Sequence, residues 1–541
     1  MRTHSTDLTR RTVLGAAIAA AGTGVLAACS GSPGTDHGSM NHGATPAAAP
    51  DGYVSPNGPE VAAAELKRGS GPVRTVKLTA TPTPLDLGDG LRVRSWAYGD
   101  RLPGKEVRVT AGDTLALTLA NHLPQSTSLH WHGIALRNDM DGVPGVTQSS
   151  VAPGGSFTYR FAVPDPGTYW FHPHSGVQQD RGLYAPLIVE DPKEPLVYDR
   201  EWVVVLDDWV DGVDGSTPEA VLAELRHGMA GHSGEDMSMD MPMDTASPSP
   251  SPKAAAAAKG PSRMMMGATS KLLGGDAGDV AYPYYLVNGR TAKAPSVFRA
   301  SPGDRIRLRI INAAGDTPFR VALGGHELTI THTDGFPVEH AEVDNLILGM
   351  GERYDVLVTA GDGVFPLIAV AEGKEAPGRE AAAMALLRTS SGSAPTASVR
   401  PSELTGRLLT PNRLRATESA ALPERKPDRT IQLRLTGNMT QFNWAFDGKP
   451  YAPGQRHPVR AGERVRLVFV NNTKMWHPVH LHGHTFALAN PAGLRKDTAG
   501  VLPGRTVAVD FDADNPGLWM IHCHNVYHSE SGMMTVLGYQ R

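Results

Sequence analysis

Ala461-Gly-Glu-Arg-Val-Arg-Leu-Val-Phe-Val-Asn471 reads as a tight turn followed by a strand, apolar and polar residues alternating along it. The same unit stands at Ala111-Gly-Asp-Thr-Leu-Ala-Leu-Thr-Leu-Ala-Asn121 and at Pro302-Gly-Asp-Arg-Ile-Arg-Leu-Arg-Ile-Ile-Asn312. Three copies of one supersecondary unit in 541 residues imply three related domains. Short alternating runs punctuated by 59 glycines and 43 prolines make these domains all-β sandwiches. They are expected at 71–192, 198–392 and 425–541, with Pro/Ser-rich joints between them.

The first and third copies stay in register far beyond the unit itself. An offset of 350 takes Gly112 to Gly462 and Asn121 to Asn471. It also takes His130 to His480, His132 to His482, His172 to His522 and His174 to His524. In a strand, residues i and i+2 share a face, so each His-x-His offers two imidazoles side by side. Four such pairs make eight imidazoles, a set suited to a cluster of about three metal ions where the two domains face each other.

Departures between the copies are as informative as the matches. Cys523, His477, His528 and Met533 stand where the first domain has Pro173, Thr127, Gln178 and Leu183. A thiolate, two imidazoles and a thioether are the donors of a blue-copper electron-transfer site. The register thus separates two sites, with Cys523 in one and its neighbours His522 and His524 in the other. Adjacent strand residues face opposite ways, so one tripeptide connects both. The middle domain has His326 and His332 but no His-x-His pair, and its histidines read as buried or hydrogen-bonded. Asn288-Gly289 fits a hairpin turn.

Composition narrows the partners. A net charge of −4 without a long basic run argues against nucleic acid as a partner. The two cysteines, Cys29 and Cys523, each have a better explanation than a mutual disulfide. Residues 1–28 carry Thr9-Arg10-Arg11-Thr12-Val13-Leu14 and an apolar run too short for a membrane span. They resemble a twin-arginine lipoprotein signal, ending Leu26-Ala27-Ala28 before Cys29, the expected lipidation site. Residues 29–70 read as a flexible tether, which would place the protein on the outer face of the cytoplasmic membrane or in the cell envelope.

Taken together, His130-Trp-His-Gly133, His172-Pro-His-Ser175, His477-Pro-Val-His-Leu-His-Gly483 and His522-Cys-His-Asn-Val-Tyr-His528 with Met533 resemble the motifs of the three-domain multicopper oxidases. This group includes laccases, copper-efflux oxidases and ferroxidases. The lipoprotein start and the stretch Gly133 to Gly142 look most like the copper-resistance oxidases of mycobacteria and related actinobacteria. The resemblance implies three cupredoxin-like Greek-key domains, four copper ions and reduction of O2 to water. It assigns His477, Cys523, His528 and axial Met533 to type 1 copper, and His130 and His480 to type 2. It gives His132, His172 and His524 to one type 3 ion and His174, His482 and His522 to the other. Asp141 matches an acid thought to relay protons. Where many relatives follow the last type 1 histidine with an acid, this chain has Ser529, which puts Glu530 as a second relay in doubt.

Residues 227–266 form a low-complexity insertion bearing Met237, Met239, Met241 and Met243, and Met264-Met-Met266 closes it. Thioethers favour Cu(I). Met475 matches a substrate-binding methionine of copper-oxidising relatives, although its partner acid falls at Thr473. The leading expectation is oxidation of Cu(I), with Fe(II) as a further substrate, by a monomer. The alternatives are a laccase acting on phenols and a copper-sequestering lipoprotein.

Overall fold

The computed structural model describes residues 52–227, 260–375, 381–410 and 413–541. Its strands fall into three successive sets, each holding two main sheets. In the first, Leu91–Tyr98, Val73–Gly88, Thr114–Asn121 and Ser156–Ala162 make one sheet. Val107–Thr110, Ala185–Glu190, Gly167–His172 and His130–His132 make the other. The middle set, between Arg200 and Arg388, has sheets of seven and five strands; the last, between Arg429 and Gln540, has six and five. These are cupredoxin-like β-sandwiches. The expected tether is structured over its described part: Pro59–Arg68 is a helix, and Val54 and Val61 are buried in the main core because their apolar side chains pack against the sandwiches. Among the described residues no helix is long and apolar enough to cross a membrane.

The repeated unit has one structural job in all three copies. Gly112, Gly303 and Gly462 take φ near +90°, the left-handed turn that a side chain would strain. The strands Thr114–Asn121 and Arg464–Asn471 bury alternate residues, as one-faced strands should. Arg305–Asn312 departs from alternation because it is buried on both sides. Its two arginines are folded inward: Arg307 and Arg309 both hydrogen-bond Asp355 Oδ2, at 2.6–3.1 Å, and Thr168 of the first sandwich donates to Oδ1 at 2.6 Å.

The closing asparagine of each copy clamps the loop that follows. Asn121 donates to Gln125 and Val151 carbonyls, Asn312 to Thr317 and Leu348, and Asn471 to Met475 and Val501. In the third domain that clamp holds the residues leading into His477. The Asn288-Gly289 hairpin forms as expected, both residues at positive φ between Tyr284–Val287 and Arg290–Thr291.

Candidate metal centres

Each His-x-His reaches its place by sheet pairing, and the two sandwiches use the same register. His130 lies opposite His172 in the first, and His480 opposite His522 in the third. All eight rings are buried. His130 and His482 stack at 3.7 Å between centroids, and His132 and His480 at 3.8 Å, so each domain interleaves with the other.

The hydrogen bonds reveal which edge of each ring faces inward. Nδ1 of His130, His172, His480 and His522 lies within 2.9–3.0 Å of the carbonyls of Asp141, Pro173, Asp497 and Cys523 respectively. Nδ1 of His482 is 3.0 Å from Asp141 Oδ2, and Nε2 of His132 is 3.0 Å from Asp497 Oδ1. These acceptors take the ring protons and leave the opposite nitrogens as acceptors. Nε2 of His130, His172 and His480, Nδ1 of His132, and both nitrogens of His524 have no hydrogen-bond partner. Nε2 of His522 comes within 3.1 Å of His482 Nε2 and 3.5 Å of His174 Nε2. Burial, aided by neighbouring rings, holds His132, His172, His174, His482, His522 and His524 well below the usual histidine range. Neutral lone pairs that converge among buried rings, with no proton to share, are a site built for cations.

A second centre lies on the other face of the tripeptide. Cys523 Sγ is 3.7 Å from His477 Nδ1 and 3.6 Å from His528 Nδ1, and the two nitrogens are 3.1 Å apart. The short helix Val526–Ser531 returns His528 to the cysteine. Asn525 caps it through Tyr527 and His528 amides, and Gly532 ends it at φ +119°. That turn brings Met533 back, its carbonyl accepting from Cys523 N and its amide donating to His528 O. Met533 shares a core cluster with Cys523, whereas Met534 packs with Val143, Leu518 and Met520.

Both imidazoles are oriented from outside. The Thr473 hydroxyl, whose proton goes to Asn471 or Met475, accepts from His477 Nε2 at 2.9 Å. The Asp279 carboxylate accepts from His528 Nε2 at 2.7 Å. Trp444 packs on both rings, 4.5 Å from His528 and 5.2 Å from His477. Burial pushes the Cys523 thiol up, so it yields its proton readily only to a bound cation.

Family models described as multicopper oxidase match residues 79–194, 245–392 and 424–540. Multicopper oxidase MmcO of Mycobacterium tuberculosis is 48% identical over 471 residues, covering 86% of this chain and 87% of that protein. The chain belongs to the multicopper oxidases. A copper resistance protein A homolog of Pseudomonas syringae pv. tomato is 31% identical, covering 84% of this chain and 90% of its own length. Among solved structures, Fet3p, a multicopper oxidase that functions in iron import, matches with a TM-score of 0.68 at 21% identity, covering 86% and 90% of the two chains. A laccase from Botrytis aclada matches at 0.66 and 23%, covering 86% and 88%. This multicopper oxidase is therefore an oxidoreductase that uses type 1, type 2 and type 3 copper.

Several residues that shape the oxidase's two centres carry no motif. Asp497, Asp279, Arg353 and Trp444 went unread in the sequence, and Thr473 read only as a departure. Asp141 is fully buried, which excludes a solvated turn acid. Met475 is buried beside His477 and pairs with Asp276 through an isolated bridge. Ser529 and Glu530 line one small cavity with His172, His174, His522 and His524, and burial pushes the Glu530 carboxyl up to about 7. Met237, Met239, Met241, Met243 and Cys29 lie outside the described residues.

Proposed function

We propose that this oxidase removes electrons from Cu(I), with Fe(II) as a second substrate, at a type 1 site of His477, Cys523, His528 and Met533. His130 and His480 hold type 2 copper; His132, His172 and His524 hold one type 3 ion, and His174, His482 and His522 the other. Bound copper supplies one-electron oxidation at the first site and reduction of O2 to water at the cluster. The protein supplies the rest: the Cys523 backbone joins the two sites, and acids on the outer ring edges fix each donor.

One observation carries the choice of a metal substrate. Met265 N donates to the carbonyl of Asp279, whose carboxylate holds His528 Nε2. The stretch that closes the methionine-rich insertion is therefore bonded directly to the acid behind a type 1 histidine. Both type 1 rings are fully buried beneath Thr473, Asp279 and Trp444, whereas a phenol oxidase needs an aromatic slot against an imidazole edge. The kinship with copper resistance proteins agrees with this reading.

Oxygen uptake separates the alternatives. Copper-loaded enzyme with and without residues 228–259 is assayed with Cu(I), Fe(II) and a phenol. Loss of Cu(I) turnover by about tenfold or more, with phenol turnover kept or raised, is expected. Unchanged Cu(I) turnover removes the insertion as the delivery route. Phenol outpacing both metals replaces this reading with a laccase.

Asp141 is the proposed proton carrier. Its Oδ1 lies 3.1 Å from His130 Nδ1, but that ring proton goes to the Asp141 carbonyl, so Oδ1 keeps a free lone pair beside the cluster. Asp141→Asn should leave the blue colour and its reduction intact while slowing reoxidation by O2 about 100-fold. Stopped-flow absorption reads both halves, and equally fast reoxidation would remove Asp141 from proton transfer. Attachment to the membrane through a lipid on Cys29 is likewise proposed; Cys29→Ala should release active enzyme into the soluble fraction.

A further inference from the structure

Among the described residues the middle sandwich contributes no ligand, yet it reaches the oxygen cluster. Its turn at Gly351 lies so close that a Cβ there would come within 2.9 Å of both His132 Cε1 and His524 Cδ2. Two residues on, Arg353 is fully buried and aims its guanidinium at Asp497 of the third sandwich. Nη1 donates to Oδ1 at 2.8 Å, and Nη2 makes an ion pair with Oδ2 at 2.7 Å. Nε donates to the Thr168 carbonyl of the first sandwich at 3.0 Å. Asp334 fastens the same corner, accepting from the amides of Arg353, Asp497 and Thr498.

Asp497 spends its acceptors on the cluster. The carbonyl takes His480 Nδ1, and Oδ1 takes His132 Nε2. Five other rings of the cluster are held by Nδ1; His132 is held by Nε2 and turns Nδ1 inward. We infer that Arg353, acting through Asp497, is a positioning residue for oxygen reduction: the pair commits Nε2 of His132 and so presents its Nδ1 to the metal. The glycine of the first motif fits this assignment. A Cβ on Gly133 would stand 2.5 Å from both Arg353 Nη2 and Asp497 Oδ2, so His130-Trp-His-Gly133 leaves room for the ion pair.

A bidentate arginine is suited to the task, since it fixes the plane of the carboxylate as well as its charge. Removing an outer partner of a metal-binding histidine typically weakens metal affinity about 10- to 100-fold. The middle domain would thereby control assembly of a centre whose every ligand lies elsewhere.

The inference rests on the ligand assignment proposed above, and the test separates the two. Wild type, Asp497→Asn, Arg353→Gln and Arg353→Lys are purified and equilibrated in excess copper buffer at one free copper concentration near the affinity of the wild-type cluster. Copper per chain, blue absorption and the type 2 electron-spin signal are then read. Both Asp497→Asn and Arg353→Gln should keep the blue band and lose cluster copper about tenfold, with a shifted type 2 signal in what remains. Arg353→Lys, which keeps the charge without the fork, should fall between them and wild type. Unchanged cluster copper and signals in Asp497→Asn and Arg353→Gln overturn the inference. Equal loss of the blue band and the cluster also overturns it, because the pair would then support only the fold. Wild-type protein that binds one copper or fewer instead refutes the ligand assignment.

Discussion

Cys523→Ser is expected to abolish the blue colour and bring turnover to background while the chain keeps its other three coppers. The substitution replaces a soft thiolate with a hydroxyl that neither ionises nor donates electron density comparably. Little else changes: the amide still donates to Met533 O, and the carbonyl still accepts from His522 Nδ1. His522 and His524 therefore stay in place, and spectroscopic signatures of the cluster should survive. Turnover within tenfold of wild type would mean that electrons bypass Cys523 and would sink the two-centre reading. The same variant addresses storage: if cells carrying it resist copper as well as wild type, sequestration accounts for the protection.

Asp355→Asn should carry the largest cost in stability. Its carboxylate is buried between Arg307 and Arg309 and takes the Thr168 hydroxyl. Removing one partner strands buried guanidinium charge, at about 3–5 kcal/mol. Calorimetry of the copper-free protein should show at least one transition lowered by on the order of 10 °C. Burial alone would raise the Asp355 carboxyl, but the two arginines override it and hold it far below its ordinary value. Such a depressed acid stabilises the fold above the unfolded pKa of about 4, and that contribution fades as pH falls further. The gap between wild type and variant should therefore be widest near neutral pH and shrink in acid. A gap that grows in acid, or an unmoved transition, contradicts this account.

The legible and the hidden parts of the site differ in a physical way. The fixed offset between domains carried His130, His132, His172 and His174 onto their partners because sheet pairing fixes spacing on both sides. Sandwich architecture was equally readable, since alternation and turn glycines are local. The acids were not. Asp141 follows His132 by nine residues and Asp497 follows His482 by fifteen, yet each gives its carbonyl to a ring of its own domain and its carboxylate to a ring of the other. A constant offset cannot match loops of unequal length. Arg353 and Asp279 were hidden further, because they come from a domain without a metal motif and meet the site only through tertiary packing. Thr473 was visible as a missing acid, but its bond to His477 depends on the loop that Asn471 clamps.

The interleaved rings of the first and third sandwiches have a consequence for how the chain is built. His130 and His524 lie near opposite ends of the folded sequence, so no ribosome-bound fragment lacking the last strands can assemble the oxygen cluster. On the proposed ligand assignment, metal uptake there would require completed synthesis. Copper held as proposed by both outer sandwiches would act as a cross-link closing a long loop, and its binding energy would resist separation of the two. Depleting copper should loosen the contact between the two outer sandwiches before any single sandwich melts.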